Sequence, residues 1–185
     1  MQSLDRRIAM VTSEVWKAFE ENEITHSVAH HLAAIRDLTD QQGYARVSDV
    51  ARMLDITRGS ASLTLKALKA KEYVLEDANK FLQLSDVGQR VVDLVTTKRA
   101  VTLKFLRDVL RVEPKQAEVD ACKVEHLLSE ETGEKLLHFV RFLLADKSAA
   151  RKFLQAFWAE NALCHDLEDC PICDVECLMQ LQIED

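Results

Sequence analysis

The chain has 185 residues, 48% hydrophobic and 30% charged, which is enough apolar material for one domain or two small ones and too much for a disordered segment. Four Gly and two Pro exclude a turn-rich all-β sandwich or barrel and any collagen-like composition. The net charge of −7 is uneven: residues 45–80 carry seven Lys/Arg against five Asp/Glu, and residues 100–185 carry ten against seventeen. A mildly basic segment followed by an acidic one fits a small polyanion-contacting module on an acidic partner domain, and the acidic total argues against non-specific coating of nucleic acid. No apolar run approaches the ~18 residues of a membrane span, and the opening MQSLDRRIAM lacks a signal-peptide core. The expectation is a cytoplasmic chain with no membrane partner.

In chain order, residues 5–23 place Ile8, Val11, Val15, Trp16 and Phe19 at helical spacing. A second helix is predicted over 25–42, capped by Thr25, with Val28, Leu32, Ile35 and Leu38 on one face and Gly43 as its terminator. Ser48 is expected to cap a short helix over 49–54. After Asp55-Ile56, Thr57 caps another helix running to about Lys71. Ala61, Leu65 and Leu68 form its inner face, and Arg58, Ser60, Ser62, Thr64 and Lys66 its outer one. Two short helices so joined make a helix-turn-helix. Residues 73–75 and 81–84 read as strands around the charged tip 76–80, the wing of a winged helix. Ser85 then opens a long helix through Val91, Val92, Leu94 and Val95 toward Leu106.

An α-helix fits the major groove, where base edges present distinct donors and acceptors. Arg58, Ser60 and Ser62 suit base edges, and Lys66, Lys69, Lys71 and the wing's Lys80 suit phosphates. Ser48, Thr57 and Thr64 complete the candidate DNA-binding set. The plainer alternative is a helical hairpin with an ordinary solvated face.

Further on, Cys122, Glu125 and His126 stand at i, i+3 and i+4 of a predicted helix, so that all three meet on one face. Thiolate, carboxylate and imidazole together suit Fe²⁺, Zn²⁺, Co²⁺ or Mn²⁺, although a Cys and a His on a helix also occur as plain core residues. Near the end, Cys164, Cys170, Cys173 and Cys177 follow a C-x5-C-x2-C-x3-C spacing. Without a secretion signal a disulfide framework is not expected. The compact run favours a [4Fe–4S] cluster over a Zn²⁺ site, for which His165 is a spare ligand, and free thiols are the third alternative. His26, His31 and His138 have no evident partner and read as structural or surface residues.

The stretch GYARVSDVARMLDITRGSASLTLKALKAKEYV, the wing after it, and LSDVGQRVV resemble the winged helix of the diphtheria-toxin-repressor/manganese-transport-regulator family. The resemblance continues through KRAVTLKFLRDVLRV and DACKVEHLLSEETGEKLLHFV and covers about residues 26–145. It implies a mainly α chain: a winged helix-turn-helix DNA-binding domain followed by a helical metal-binding and dimerisation domain. It also implies a metal-dependent transcriptional repressor that binds duplex DNA at a palindromic operator as a homodimer. His30 matches the family position that supplies a ligand from the helix before the winged helix, giving the set His30, Cys122, Glu125 and His126 for Fe²⁺, Mn²⁺ or Zn²⁺. The family's ancillary metal site aligns with Arg99, Leu103 and Glu118, of which only Glu118 is a ligand type, and Ala33 stands where some manganese sensors place a glutamate. Arg99 there would put a fixed positive charge where a second cation would sit.

The expected organisation is an N-terminal helical extension (1–24), a winged-helix domain (25–97), a metal-binding and dimerisation domain (98–150) and a cysteine-rich tail (151–185). The expected function is metal- or iron–sulfur-responsive repression of iron or manganese homeostasis genes. The alternative is an iron–sulfur or zinc protein for redox sensing or electron and cluster transfer, with the winged helix as scaffold. No Gly-rich phosphate cradle or oxyanion loop accompanies the Cys and His residues, so the chain is not expected to be an enzyme.

Overall fold

Two compact units divide the chain: residues 22–146, and residues 1–21 together with 147–185. The computed structural model describes residues 24–145 of the first unit and 147–160 of the second. The helix predicted over 5–23 and the four tail cysteines lie outside the described residues.

Helix α1 (His26–Gln42) begins where the Thr25 hydroxyl accepts the Val28 N–H at 3.3 Å and ends at Gly43, whose φ of +83° lets its N–H reach the Thr39 carbonyl. Its Leu32, Ile35 and Leu38 are buried, as their spacing predicts. Helix α2 (Val47–Met53) starts earlier than expected. Arg46 is its N-cap residue, with no side-chain cap bond, and its carbonyl receives the N–H groups of Asp49 and Val50. Ser48 therefore sits in the first turn and caps nothing. Packing of Val47 and Val50 into the core sets the start in place of a hydroxyl. Asp55, at φ 53°, turns the chain into helix α3 (Arg58–Ala70), capped by the Thr57 hydroxyl on the Ser60 N–H at 3.1 Å. Ala61, Leu65 and Leu68 are at most 1% exposed, whereas Arg58, Ser60, Ser62 and Lys66 face solvent and Thr64 is half-buried.

Strands β1 (Val74–Glu76) and β2 (Leu82–Leu84) pair antiparallel with Val74 opposite Leu84; β1 is shifted one residue later than predicted, taking in Glu76 from the expected tip, and β2 starts one residue later. The Asp77 carboxylate accepts the N–H groups of Asn79 and Phe81, both at 2.8 Å, and so folds the tip. Leu82 also bridges to Ala45, which lays the segment before α2 alongside the wing. Leu32, Ile35, Val50, Leu65, Leu68, Val74, Leu82 and Val92 form one core cluster.

Helix α4 (Asp86–Lys104) is capped by Ser85, whose hydroxyl accepts the Gly88 N–H at 3.0 Å. It gives way to one π-turn (Phe105–Val109), where the Leu110 N–H reaches back to the Phe105 carbonyl. Helix α5 (Pro114–Val124) is capped by the Glu113 carboxylate, and helix α6 (Glu130–Leu144) by Ser129. Helix α7 (Ser148–Ala159) belongs to the second unit. The architecture is mainly α, a winged helix-turn-helix followed by further helices. Among the described residues no helix is long and apolar enough to cross a membrane.

Candidate functional site

Near its start, α1 carries His30 toward the C-terminal end of α5. The His30 Nε2 lies 3.3 Å from Cys122 Sγ and 3.6 Å from Glu125 Oε1. Two ligands held about 2.0–2.3 Å from a common tetrahedral centre stand about 3.3–3.8 Å apart, so these separations fit a shared ion. Helix α5 ends one residue before Glu125, not beyond His126 as the sequence suggests. The chain tightens there, with Leu127 N–H on the Val124 carbonyl at 2.9 Å. Glu125 nevertheless keeps helical backbone angles and donates its N–H to Ala121, which leaves its side chain one turn from that of Cys122.

Glu125 is only 4% exposed, and its carboxylate is shared between two neighbours. One oxygen faces His30. The other lies 3.4 Å from Arg99 Nη1, and Arg99 Nη2 holds Glu118 at 3.0 Å. The Arg99 guanidinium from α4 thus spans two carboxylates, Glu118 within α5 and Glu125 just past its end. Burial pulls its pKa down, but the Glu118 hydrogen bond and the charges of Glu125 and Cys122 outweigh that and raise it. Burial, followed by the charges of His26, Arg99 and His31, pushes the His30 pKa down. Burial and then His26 lower that of His126 against the pull of Glu125. Both shifts favour the neutral imidazole, the form whose ring nitrogen serves as a ligand.

His26, read from the sequence as structural or surface, belongs to this cluster. Its ring centroid is 4.2 Å from that of His30 and 5.4 Å from that of His126. Donor atoms of His26, His30 and Cys122 all lie within 4.8 Å of one another. The available signal was the four-residue step from His26 to His30, which puts both on one helix face. His31 points the other way, buried, with Nδ1 2.7 Å from the Ser27 carbonyl.

Residues 85–152 match the family model described as iron dependent repressor, metal binding and dimerisation domain. The match spans 68 of the 185 residues, little more than a third of the chain. Cys122, Glu125, His126, Arg99 and Glu118 all fall within the matched residues, and His26 and His30 precede them. Among solved structures, the chain is similar to IdeR of T. acidophilum, at 21% identity and a TM-score of 0.52 over 62% of this chain and 53% of that one. It is similar to the manganese regulator SloR, at 21% identity and 0.58 over 64% and 55%. It is also similar to ScaR with bound Zn²⁺, at 19% identity and 0.56 over 62% and 54%. At these identities the likeness is one of fold, and the chain spans about half the length of each.

On the side of the winged helix away from its core, Ser48, Thr57, Arg58, Ser60, Ser62 and Lys66 are exposed. Lys80 is 81% exposed, with its ammonium 3.0 Å from Glu76, and Lys69 bonds the same carboxylate. Arg46 lies over the Phe81 ring at 4.6 Å and beside Tyr44 at 5.9 Å.

Proposed function

We propose that the protein is a metal-responsive transcriptional regulator, a repressor of iron or manganese homeostasis genes that binds a palindromic DNA operator as a cytoplasmic homodimer. The observation that carries this reading is the meeting of His30 with Cys122 and Glu125, donors 92 and 95 residues further along the chain. Together with His126 they form a ligand set for Fe²⁺, Mn²⁺ or Zn²⁺, and a bound ion supplies one positive centre for all four. His30 ties the helix that packs on the winged-helix core to the end of α5. Holding that tie fixes the attitude of α3 toward the helical domain.

In this reading residues 25–97 read DNA, with Arg58, Ser60 and Ser62 at base edges and Ser48, Thr57, Thr64, Lys66 and Lys80 at the backbone. Residues 98–150 hold the ion and dimerise, so that two α3 helices reach major grooves roughly 34 Å apart. The ionisable cluster is a ligand set and the protein is not an enzyme. The likeness to SloR, a manganese regulator, and to ScaR, solved with bound Zn²⁺, supports the ion classes. The tail spacing favours a [4Fe–4S] cluster, or else Zn²⁺, on Cys164, Cys170, Cys173 and Cys177 as a second input.

The test begins with duplexes enriched from a random library by the metal-loaded protein. Their affinity is then measured for loaded and chelator-stripped chains at fixed salt. The loaded form is expected to bind at least about tenfold more tightly, a coupling of ~1.4 kcal/mol. Equal affinity of the two forms overturns the proposal.

A further inference from the structure

We infer that His26 is a ligand of the same ion, which makes the centre rich in nitrogen and sulfur and selective for Fe²⁺, Co²⁺ or Zn²⁺ over Mn²⁺. The inference rests on the metal-site reading above and deepens it. His26 is the first residue of α1 and stands one turn before His30, so the two imidazoles form a chelating pair on one face. Their donor atoms and the Cys122 sulfur lie within 4.8 Å of one another, and the His26 ring also adjoins that of His126. Two imidazoles and a thiol therefore gather at one point, with the His126 ring beside that of His26.

The oxygen donors nearby are differently placed. Arg99 takes one oxygen of Glu125 and one of Glu118, at 3.4 and 3.0 Å. Only the Glu125 Oε1 is left facing His30. Carboxylate oxygens suit Mn²⁺, whereas imidazole and thiolate suit Zn²⁺ and its neighbours, and Mn²⁺ stands lowest in the general affinity order of the divalent series. By holding the carboxylates, the guanidinium leaves the balance to nitrogen and sulfur. His26 adds a third imidazole to that side and is exposed, which leaves the cluster open toward solvent where it stands.

The experiment uses the full chain carrying Cys164→Ser, Cys170→Ser, Cys173→Ser and Cys177→Ser, so that Cys122 is the single remaining thiol of the five. The chelator-stripped protein is titrated with Co²⁺, with the thiolate charge-transfer band and the visible d–d bands recorded. Competition then gives Co²⁺ and Mn²⁺ affinities. In the His26→Ala variant, Co²⁺ affinity is expected to fall at least about tenfold, since loss even of an outer partner costs a metal site that much. The d–d bands should change, while Mn²⁺ affinity falls less. His26→Asp, which returns an oxygen donor, should move preference back toward Mn²⁺. Far-UV circular dichroism checks that both variants keep the wild-type helix content. Unchanged Co²⁺ affinity and d–d bands in His26→Ala, with the thiolate band still lost in Cys122→Ser, overturn the role of His26 and leave the metal-site reading standing. Absence of any Cys122-dependent band in the parent overturns both.

Discussion

Gly88 sits where α4 begins and is buried against the entry to the wing. A Cβ at this position would collide with the carbonyl oxygen of Tyr73, and that carbonyl already accepts the Ser85 N–H at 3.1 Å. Backbone atoms in such a contact have no rotamer by which to move aside. Gly88→Ala is therefore expected to destabilise the fold by about 1–3 kcal/mol. Gly59→Ala, with nothing nearer than the Thr57 hydroxyl at 3.9 Å, should be neutral or stabilise by up to about 1 kcal/mol. Urea denaturation of the two variants checks the contrast. Similar losses at both positions would mean that glycine matters here for chain flexibility and not for close approach. Arg99 makes the same point about residue type. Its position was legible in the sequence, but its two carboxylate partners lie on α5 and just past its end, and no local pattern names them.

Between elements, the wing is fastened to α3 through Glu76. Lys69 of α3 and Lys80 of the wing tip both bond its carboxylate. The Lys69 hydrogen bond, followed by that from Lys80, holds the Glu76 carboxyl below its usual pKa, with burial opposing. A depressed acidic pKa contributes stability that is present above the unfolded value, about 4.3, and is lost as pH falls through the folded value. Stability curves of wild type and Glu76→Gln should therefore differ by a constant amount above the unfolded value and converge as the pH falls through the lowered folded value. A difference that persists unchanged into acid would show that the carboxylate charge is not what holds the wing. At this scale the local signals were good. Thr25, Thr57 and Ser85 cap the helices they were expected to cap, because an N-cap bond spans only three residues. Ser48 failed for the opposite reason, since burial of Val47 and Val50 outweighed a hydroxyl's preference.

At the scale of the whole molecule, the proposed ligand set, with His30 on α1 and Cys122 on α5, would couple ion binding to folding stability. An ion that binds the folded chain alone, present at a hundredfold excess over its Kd, adds about 2.7 kcal/mol. Chelation should therefore lower the Tm, and re-addition of Zn²⁺ or Fe²⁺ should restore it. His30→Ala should keep the apo Tm within a few degrees and lose the metal-dependent rise. A rise that survives in that variant would place the stabilising ion elsewhere, with the tail cysteines the first candidates.

By itself the sequence determined the helical faces, their caps, the helix-turn-helix and the charged wing tip. Each of these depends on residues within a turn or two of one another, where spacing alone decides what meets. It also named Cys122, Glu125 and His126 as neighbours, and it reached His30 only through family resemblance. Tertiary structure alone decided that His26 joins them and that Arg99 grips Glu125 and Glu118. Those contacts depend on how α1 and α4 pack on α5, and packing is set by the burial of side chains distant in sequence, which no local period records.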